Sequence, residues 1–193
     1  KRGFDPMAFR YLCLGAHYRR PLNFTVSSLR AAHARFLKLR KNAALFAQET
    51  GGVASSGPGC APWEREFKQG IADDLALPRA LTILWRMLKS DLPSEQKLWL
   101  LWEFDRVLGL DIKGWLYESQ KVPEDVVEPL KERNARREAA RYAEADGLRE
   151  MIEATGYEVM DTLRGALLVH NPSLLEPAKH GRSEPVSSSS GVE

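Results

Sequence analysis

Apolar side chains recur three or four positions apart along most of residues 6–108, the spacing that one face of an α-helix requires. Prolines, glycines and capping residues interrupt this pattern and divide it into separate elements. Residues 111–121 lack the pattern and are predicted to be a connector. The pattern therefore predicts five helices, over residues 6–20, 25–48, 61–73, 78–89 and 94–108.

The two ends of this helical region carry the clearest local signals. Asp5 is a typical N-cap residue, and Pro6 suits the first turn of a helix, where its missing N–H costs nothing. In that first helix a stripe that includes Phe9 and Cys13 (with Leu12 and Ala16) is predicted to be buried. The helix at 94–108 is apolar nearly all round, which predicts that it lies at the centre of a bundle.

The composition changes after Pro123. Charged residues alternate with alanines, which predicts two small helices over 124–141 and 143–155. Alternating patterns at 157–162 and 166–170, joined by a turn, predict a β-hairpin. The sequence thus predicts a mainly α fold: an antiparallel helical bundle (1–122), then a small α+β module (123–171), and a disordered, Ser-rich tail (172–193).

Positive charge is concentrated near the N-terminus, although the net charge of the chain is only +2. A one-signed block produces a local field that favours phosphate groups, whereas the alternative is an ordinary solvated helix face. No acidic residue occurs between Asp5 and Glu49, while this stretch contains Arg10, Arg19, Arg20, Arg30, Arg35, Lys38, Arg40 and Lys41.

Only two cysteines are present, which excludes a disulfide framework. Cys13 is predicted to be a buried thiol. Cys13 and His17 have a spacing that two ligands on a helix can share, but with no third ligand nearby a metal site is not predicted. No signal peptide or membrane-spanning run is visible, so we expect a cytoplasmic protein that does not enter membranes.

Several motifs occur in a fixed order. Residues 3–25, GFDPMAFRYLCLGAHYRRPLNFT, contain Asp-Pro-x-Ala-x-Arg and His-Tyr-Arg-x-Pro-Leu-Asn-Phe-Thr. They are followed by ADDLALPRAL at 72–81, FDRVLGL at 104–110, ADGLR at 145–149 and GYEVMDTLRG at 156–165. Together these motifs resemble the C-terminal half of bacterial cysteinyl-tRNA synthetases, a DALR-type helical bundle followed by a small anticodon-binding module.

The resemblance implies a division of labour. The catalytic half of this family binds ATP, cysteine and zinc, but His-x-Gly-His and Lys-Met-Ser-Lys-Ser do not occur in this chain. We therefore expect no catalytic residue, cofactor or metal here, and no aminoacylation by this chain alone. The start at Lys1, without Met, fits a catalytic module that is missing. The implied partners are tRNA(Cys) and that module, and we expect a monomer.

The resemblance also implies site residues. The bundle is expected to bind the tRNA backbone and the small module to read the anticodon. An unpaired base offers a face for stacking and free edges for hydrogen bonds. The candidate anticodon-binding residues are Arg137, Tyr142, where the family usually has Trp, Asp146 and Asp161. The candidate tRNA-backbone residues are Arg10, Arg19, Arg30, Arg35, Lys38 and Lys41.

Structural roles are open for each candidate reader. Arg137 has nearby residues of opposite charge in Glu138 and Glu144, and Asp146 can pair with Arg141 or Arg149 on a helix surface. Tyr142 can fill the core of the small module, and Asp161 can stabilise the hairpin turn.

Two other functions are open as well. One is a stand-alone module, derived from a synthetase, with a tRNA-binding or regulatory role. The other is part of an amino-sugar–cysteine ligase, which has no need of an anticodon reader.

Overall fold

The computed structural model describes residues 4–119, 121–171 and 174. Within these ranges eight helices precede one antiparallel hairpin, which confirms the mainly α fold with a small α+β end. The elements are α1 (Pro6–Leu14), α2 (Val26–Thr50), α3 (Cys60–Ala72), α4 (Leu77–Leu88), α5 (Ser94–Leu108), α6 (Ile112–Ser119), α7 (Glu124–Glu138), α8 (Tyr142–Glu153), β1 (Tyr157–Thr162) and β2 (Gly165–His170).

Capping explains where the two N-terminal helices begin. The Asp5 carboxylate accepts a hydrogen bond from the Met7 backbone N–H at 2.8 Å, as the sequence predicted. Thr25 and Ser28 form a reciprocal capping box at the start of α2. That helix ends at Gly51, whose φ of 63° is a left-handed conformation that glycine adopts without steric cost.

The bundle is built around α5, as predicted. Five of its apolar side chains are buried, and they face α2, α3 and α4 in the main core. The Phe104 ring stacks on Phe67 of α3 with the ring centroids 3.9 Å apart. The buried residues of α5 are Leu98, Leu100, Leu101, Phe104 and Leu108.

The buried face of α1 differs from the predicted one. Tyr11 is buried together with Ala8 and Leu14, whereas Phe9 is 49% exposed and Cys13 is exposed. The predictions of an inward Phe9 and a buried Cys13 thiol were therefore wrong. The helix is short and apolar on several sides, so periodicity alone could not select its inner face. The buried face makes tertiary contacts instead: the Tyr11 ring packs against Phe36 of α2, and the Trp85 Nε1–H donates to the Tyr11 hydroxyl at 2.8 Å.

The predicted connector contains a helix, α6. The carboxylate of Asp105, near the end of α5, accepts hydrogen bonds from the backbone N–H groups of Leu110 and Ile112, at 2.7 and 2.8 Å. Burial raises the pKa of Asp105 in spite of these two bonds. The cap that starts α6 thus comes from the preceding helix, which a local pattern does not show. Ile112 and Trp115 of α6 are buried.

The hairpin lies between the bundle and the α7–α8 pair. Met160 and Val169 pack in the main core of the bundle, whereas Val159 packs in a second core with Val126 of α7 and Ile152 of α8. This arrangement follows from the period of two in a strand, which sends successive side chains to opposite faces. The hairpin therefore has no solvent face of its own along β1, except near its turn.

Two polar contacts also join the hairpin to α2. The Lys41 ammonium donates to Glu158 at 2.6 Å, and the Thr162 hydroxyl donates to the Gln48 side chain at 2.9 Å. Because the hairpin is bound on both sides, residues of the small module are held against the C-terminal part of α2. The boundary at residue 122 stays a prediction.

In the part of the chain that the structure describes, no helix combines the length and the apolar character that crossing a bilayer demands. The predicted disordered tail, residues 172–193, lies outside the described residues apart from Leu174.

Candidate nucleic-acid interface

An arginine–aspartate–arginine cluster joins α7 to β1. The Arg133 guanidinium donates to both carboxylate oxygens of Asp161, from Nη1 to Oδ1 at 2.6 Å and from Nη2 to Oδ2 at 2.7 Å. The Arg137 Nη1 donates to Oδ2 of the same carboxylate at 3.0 Å. The two arginines are one helical turn apart on α7, so both reach the strand from the same face. Two of the four predicted anticodon readers, Arg137 and Asp161, are therefore in direct contact.

The charge state of this cluster is well defined. The hydrogen bonds from Arg133 hold the pKa of Asp161 below its ordinary value, and partial burial opposes them only in part. Arg137 and Arg149 add to the lowering through their positive charge. Asp161 is thus an ionised carboxylate at neutral pH. The turn is stabilised instead by Thr162, whose hydroxyl oxygen accepts a hydrogen bond from the Arg164 backbone N–H at 3.1 Å.

Replacing Asp161 with asparagine is expected to weaken the fold mainly at neutral pH. A carboxylate with a lowered pKa stabilises the folded state above its unfolded pKa of about 3.9. That contribution is lost as pH falls through the folded value. We expect D161N to reduce the free energy of unfolding by about 1–2 kcal/mol at pH 7, less than for a pair buried on both sides, because the carboxylate is partly exposed and the asparagine amide oxygen still accepts from Arg133. The difference from the parent chain shrinks below about pH 4.

Urea unfolding at pH 7, 5 and 3 measures this difference. The matched control is Asp146→Asn, which removes an exposed carboxylate that has no ion pair with any described residue. A D161N deficit that stays constant down to pH 3 contradicts the assignment of the ion pair as its cause.

The other two predicted readers face solvent. Tyr142, the first residue of α8, is 60% exposed, so it does not fill the core of the small module. Asp146 follows one turn later on the same side of α8 and is also exposed. The alternative partners of Asp146 are engaged elsewhere, since Arg141 pairs with Glu144 and Arg149 with Glu153. Within the described residues, both side chains are therefore available to a ligand.

One face of α2 carries exposed positive charge. Arg30, Arg35 and Lys38 are exposed, and no acidic residue among those described pairs with them. At about 100° per residue, they lie within an arc of about 140° on the helix surface. We call Arg30, Arg35 and Lys38 the basic face of α2. The opposite side of the same helix is buried in the main core.

Three other predicted backbone residues have partners inside the chain. Arg10 donates from Nε to the Leu108 carbonyl at 2.8 Å, at the end of α5. Arg19 pairs with Asp74 at 3.0 Å, although its side chain remains 67% exposed. Lys41 is bonded to Glu158. Their roles toward RNA stay predictions, and Arg10 and Lys41 have structural contacts that the sequence did not show.

The described residues do not fit the zinc ion that the resemblance attributes to the catalytic half. They contain no group of three or more His, Cys, Asp or Glu side chains arranged to hold a metal. His17 lies 3.7 Å from the Asp74 carboxylate, and its ring stacks on Tyr18.

Sequence reasoning missed two arginines. Arg40 belongs to the basic block but is buried, with its guanidinium against Asp5 and over the rings of Phe36 and Trp115 at 4.2 and 4.9 Å. Arg133 was not singled out, although its spacing of four from Arg137 places both on one face of α7. That spacing was the signal in the sequence that could have identified Arg133. The aspartate that contacts both arginines, Asp161, is distant in sequence.

The described residues therefore present two exposed polar surfaces, the basic face of α2 and the exposed side chains of α7 and α8. Comparison with known proteins defines the family further. The chain is 40% identical over 168 residues to cysteine–tRNA ligase 1 of Burkholderia lata, an alignment that covers 87% of the chain and 34% of the relative. No family model matches the chain.

Two further relatives agree. The cysteine–tRNA ligase of Borrelia hermsii is 34% identical, covering 84% of the chain and 37% of the relative. That of Opitutus terrae is 35% identical, covering 93% of the chain and 36% of the relative. The chain is thus homologous to cysteine–tRNA ligases, which confirms the resemblance to the C-terminal half of the bacterial enzymes. It spans about a third of the length of these curated relatives.

Proposed function

We propose that this chain is the tRNA-recognising part of a cysteine–tRNA ligase. The basic face of α2 binds the phosphate backbone of tRNA(Cys), and the α7–α8 module with its hairpin binds the anticodon. ATP, cysteine and zinc chemistry belongs to a catalytic module that is not among these residues. The chain alone binds tRNA without aminoacylating it.

One observation supports the proposal most directly. Tyr142 and Asp146, two residues that the motif resemblance assigns to base reading, are exposed on the same side of α8 and have no ion pair or hydrogen bond to other described residues. Leaving a tyrosine ring in water gives no benefit to the fold, but a flat exposed ring can stack on an unpaired base. The neighbouring carboxylate can accept hydrogen bonds from base amino and imino groups.

The polar cluster next to them fits the same role. Arg137 uses one of its five N–H groups on Asp161 and is 41% exposed, so its remaining donors are open to a ligand. Single-stranded RNA is read through such donor and acceptor groups together with stacking. An amino-sugar–cysteine ligase needs neither the exposed ring nor these polar groups.

Removing the exposed ring is expected to weaken the binding of tRNA(Cys). Base stacking on an aromatic side chain is worth about 1–3 kcal/mol, so Tyr142→Ala should weaken binding of a tRNA(Cys) transcript by about tenfold. Tyr142→Trp should retain or strengthen binding, because the indole is larger. Fluorescence anisotropy with a labelled tRNA(Cys) transcript measures both affinities.

The matched control is Tyr117→Ala, which removes an equally exposed tyrosine from α6 of the bundle. The same titrations with a transcript of altered anticodon test base reading. Equal affinity of the parent chain for both transcripts would overturn anticodon recognition. If the parent chain does not bind tRNA even at low salt, the result would favour a function as part of an amino-sugar–cysteine ligase.

A further inference from the structure

Arg133 is a buried cation, only 1% exposed, and it ranks first by volume among the fully buried side chains of the described residues. Besides its two bonds to Asp161, Nη1 donates to the Asn134 side chain at 3.1 Å. Its Nε is buried without a hydrogen-bond partner among the described residues. A buried guanidinium is costly unless a carboxylate compensates it, and Asp161 is that carboxylate.

The fork of Arg133 fixes the plane of the Asp161 carboxylate. Two parallel N–H···O bonds allow one orientation, whereas a single bond would allow rotation. Oδ2 then holds Arg137 from the solvent side at 3.0 Å. The buried arginine, the carboxylate and the exposed arginine therefore form a chain of contacts that ends at the surface.

We propose that Arg133 is a positioning residue for the surface of Arg137, Tyr142 and Asp146 that reads RNA. It orients Asp161, and through it Arg137, without contacting RNA itself. This inference rests on the proposed function. An exposed arginine without a partner adopts many rotamers. The carboxylate that Arg133 holds in place restricts the Arg137 side chain, so the remaining N–H donors of Arg137 have a defined direction.

A purely structural role makes a different prediction. If Arg133 only stabilises the fold, its replacement lowers the free energy of unfolding but leaves the folded fraction with unchanged anticodon preference. If it positions Arg137, the preference falls even in fully folded protein. Because Arg133 is buried, neither role changes the dependence of affinity on salt, which reports phosphate contacts.

The test measures the affinity ratio between a tRNA(Cys) transcript and a transcript of altered anticodon for the full chain. Arg133→Met and Arg137→Met are each expected to reduce this ratio by about tenfold. Affinity for the altered transcript and the salt slope of Arg133→Met should remain unchanged. Lys131→Met removes an exposed cation of α7 that is paired with Glu128, and it should keep the parent ratio.

Two additional variants separate positioning from folding. In an Asp161→Asn background, Arg133→Met should have no further effect on the ratio, because it acts through that carboxylate. Arg133→Lys keeps the charge but cannot fork, so it should fold and still lose part of the preference. It replaces Arg133→Met if circular dichroism shows that variant unfolded.

The outcomes distinguish this inference from the proposed function. No anticodon preference in the parent chain overturns both. A preference in the parent that folded Arg133→Met and Arg133→Lys retain in full overturns the positioning role alone, and the proposed function stands. Loss of anticodon preference in folded Arg133→Met, with an unchanged salt slope, supports the positioning role.

Discussion

Replacing Arg30, Arg35 and Lys38 together with glutamine is expected to weaken tRNA binding by about two orders of magnitude at 0.1 M salt. Each cation that neutralises a phosphate releases counterions, which contributes about 0.7–0.9 to the slope of log affinity against log salt. Removing three such contacts should reduce that slope by about 2–3 units. Anisotropy titrations of a tRNA(Cys) transcript between 0.05 and about 0.3 M salt measure both quantities.

The matched control removes the same number of charges elsewhere. Lys68, Arg106 and Lys131 are exposed and already paired with acidic residues on their own helices. Their joint replacement with glutamine alters the net charge equally but should change the slope by less than about 1 unit. Equal losses in the two triple variants would show that binding follows net charge, and would contradict a role for the basic face of α2.

Replacing Arg40 with methionine is expected to cause the largest loss of stability. Arg40 and Asp5 are both largely buried, and removing one partner leaves the other charge without compensation. Such losses amount to about 3–5 kcal/mol, a large part of the 5–15 kcal/mol that is typical of a domain. Because Asp5 still caps α1 through its other oxygen, the loss does not include the cap of α1. Urea unfolding at pH 7 measures it.

An exposed ion pair provides the comparison. Arg86 donates to Glu66, and its guanidinium also lies over the Trp63 ring, as that of Arg40 lies over Phe36. On replacement by methionine each arginine therefore loses an ion pair and its ring contacts, one ring for Arg86 and two for Arg40, but the Arg86 side chain is 57% exposed. We expect Arg86→Met to cost less than about 1 kcal/mol. Similar losses for the two variants would contradict the role assigned to burial.

The basic stretch of residues 6–48 shows how far pattern reasoning reaches. The sequence identified a run of cations without acids, and helical geometry then placed Arg30, Arg35 and Lys38 on one side of α2. Arg40 belongs to the same run but lies on the opposite side, in the core. A charge count treats both groups alike, whereas burial gives them different energies and therefore different roles.

By itself, the sequence determined the number and order of most helices, the hairpin, and the motifs that indicate the family. These features depend on spacing, caps and turns within a few residues of one another. Only the tertiary structure decided which face of α1 is buried, that α6 is a helix, and that Arg133, Asp161 and Arg137 are in contact. The face of α1 and the arginine–aspartate–arginine cluster depend on partners 24 to 74 positions away, and α6 depends on a side-chain cap from the preceding helix; local periodicity encodes neither.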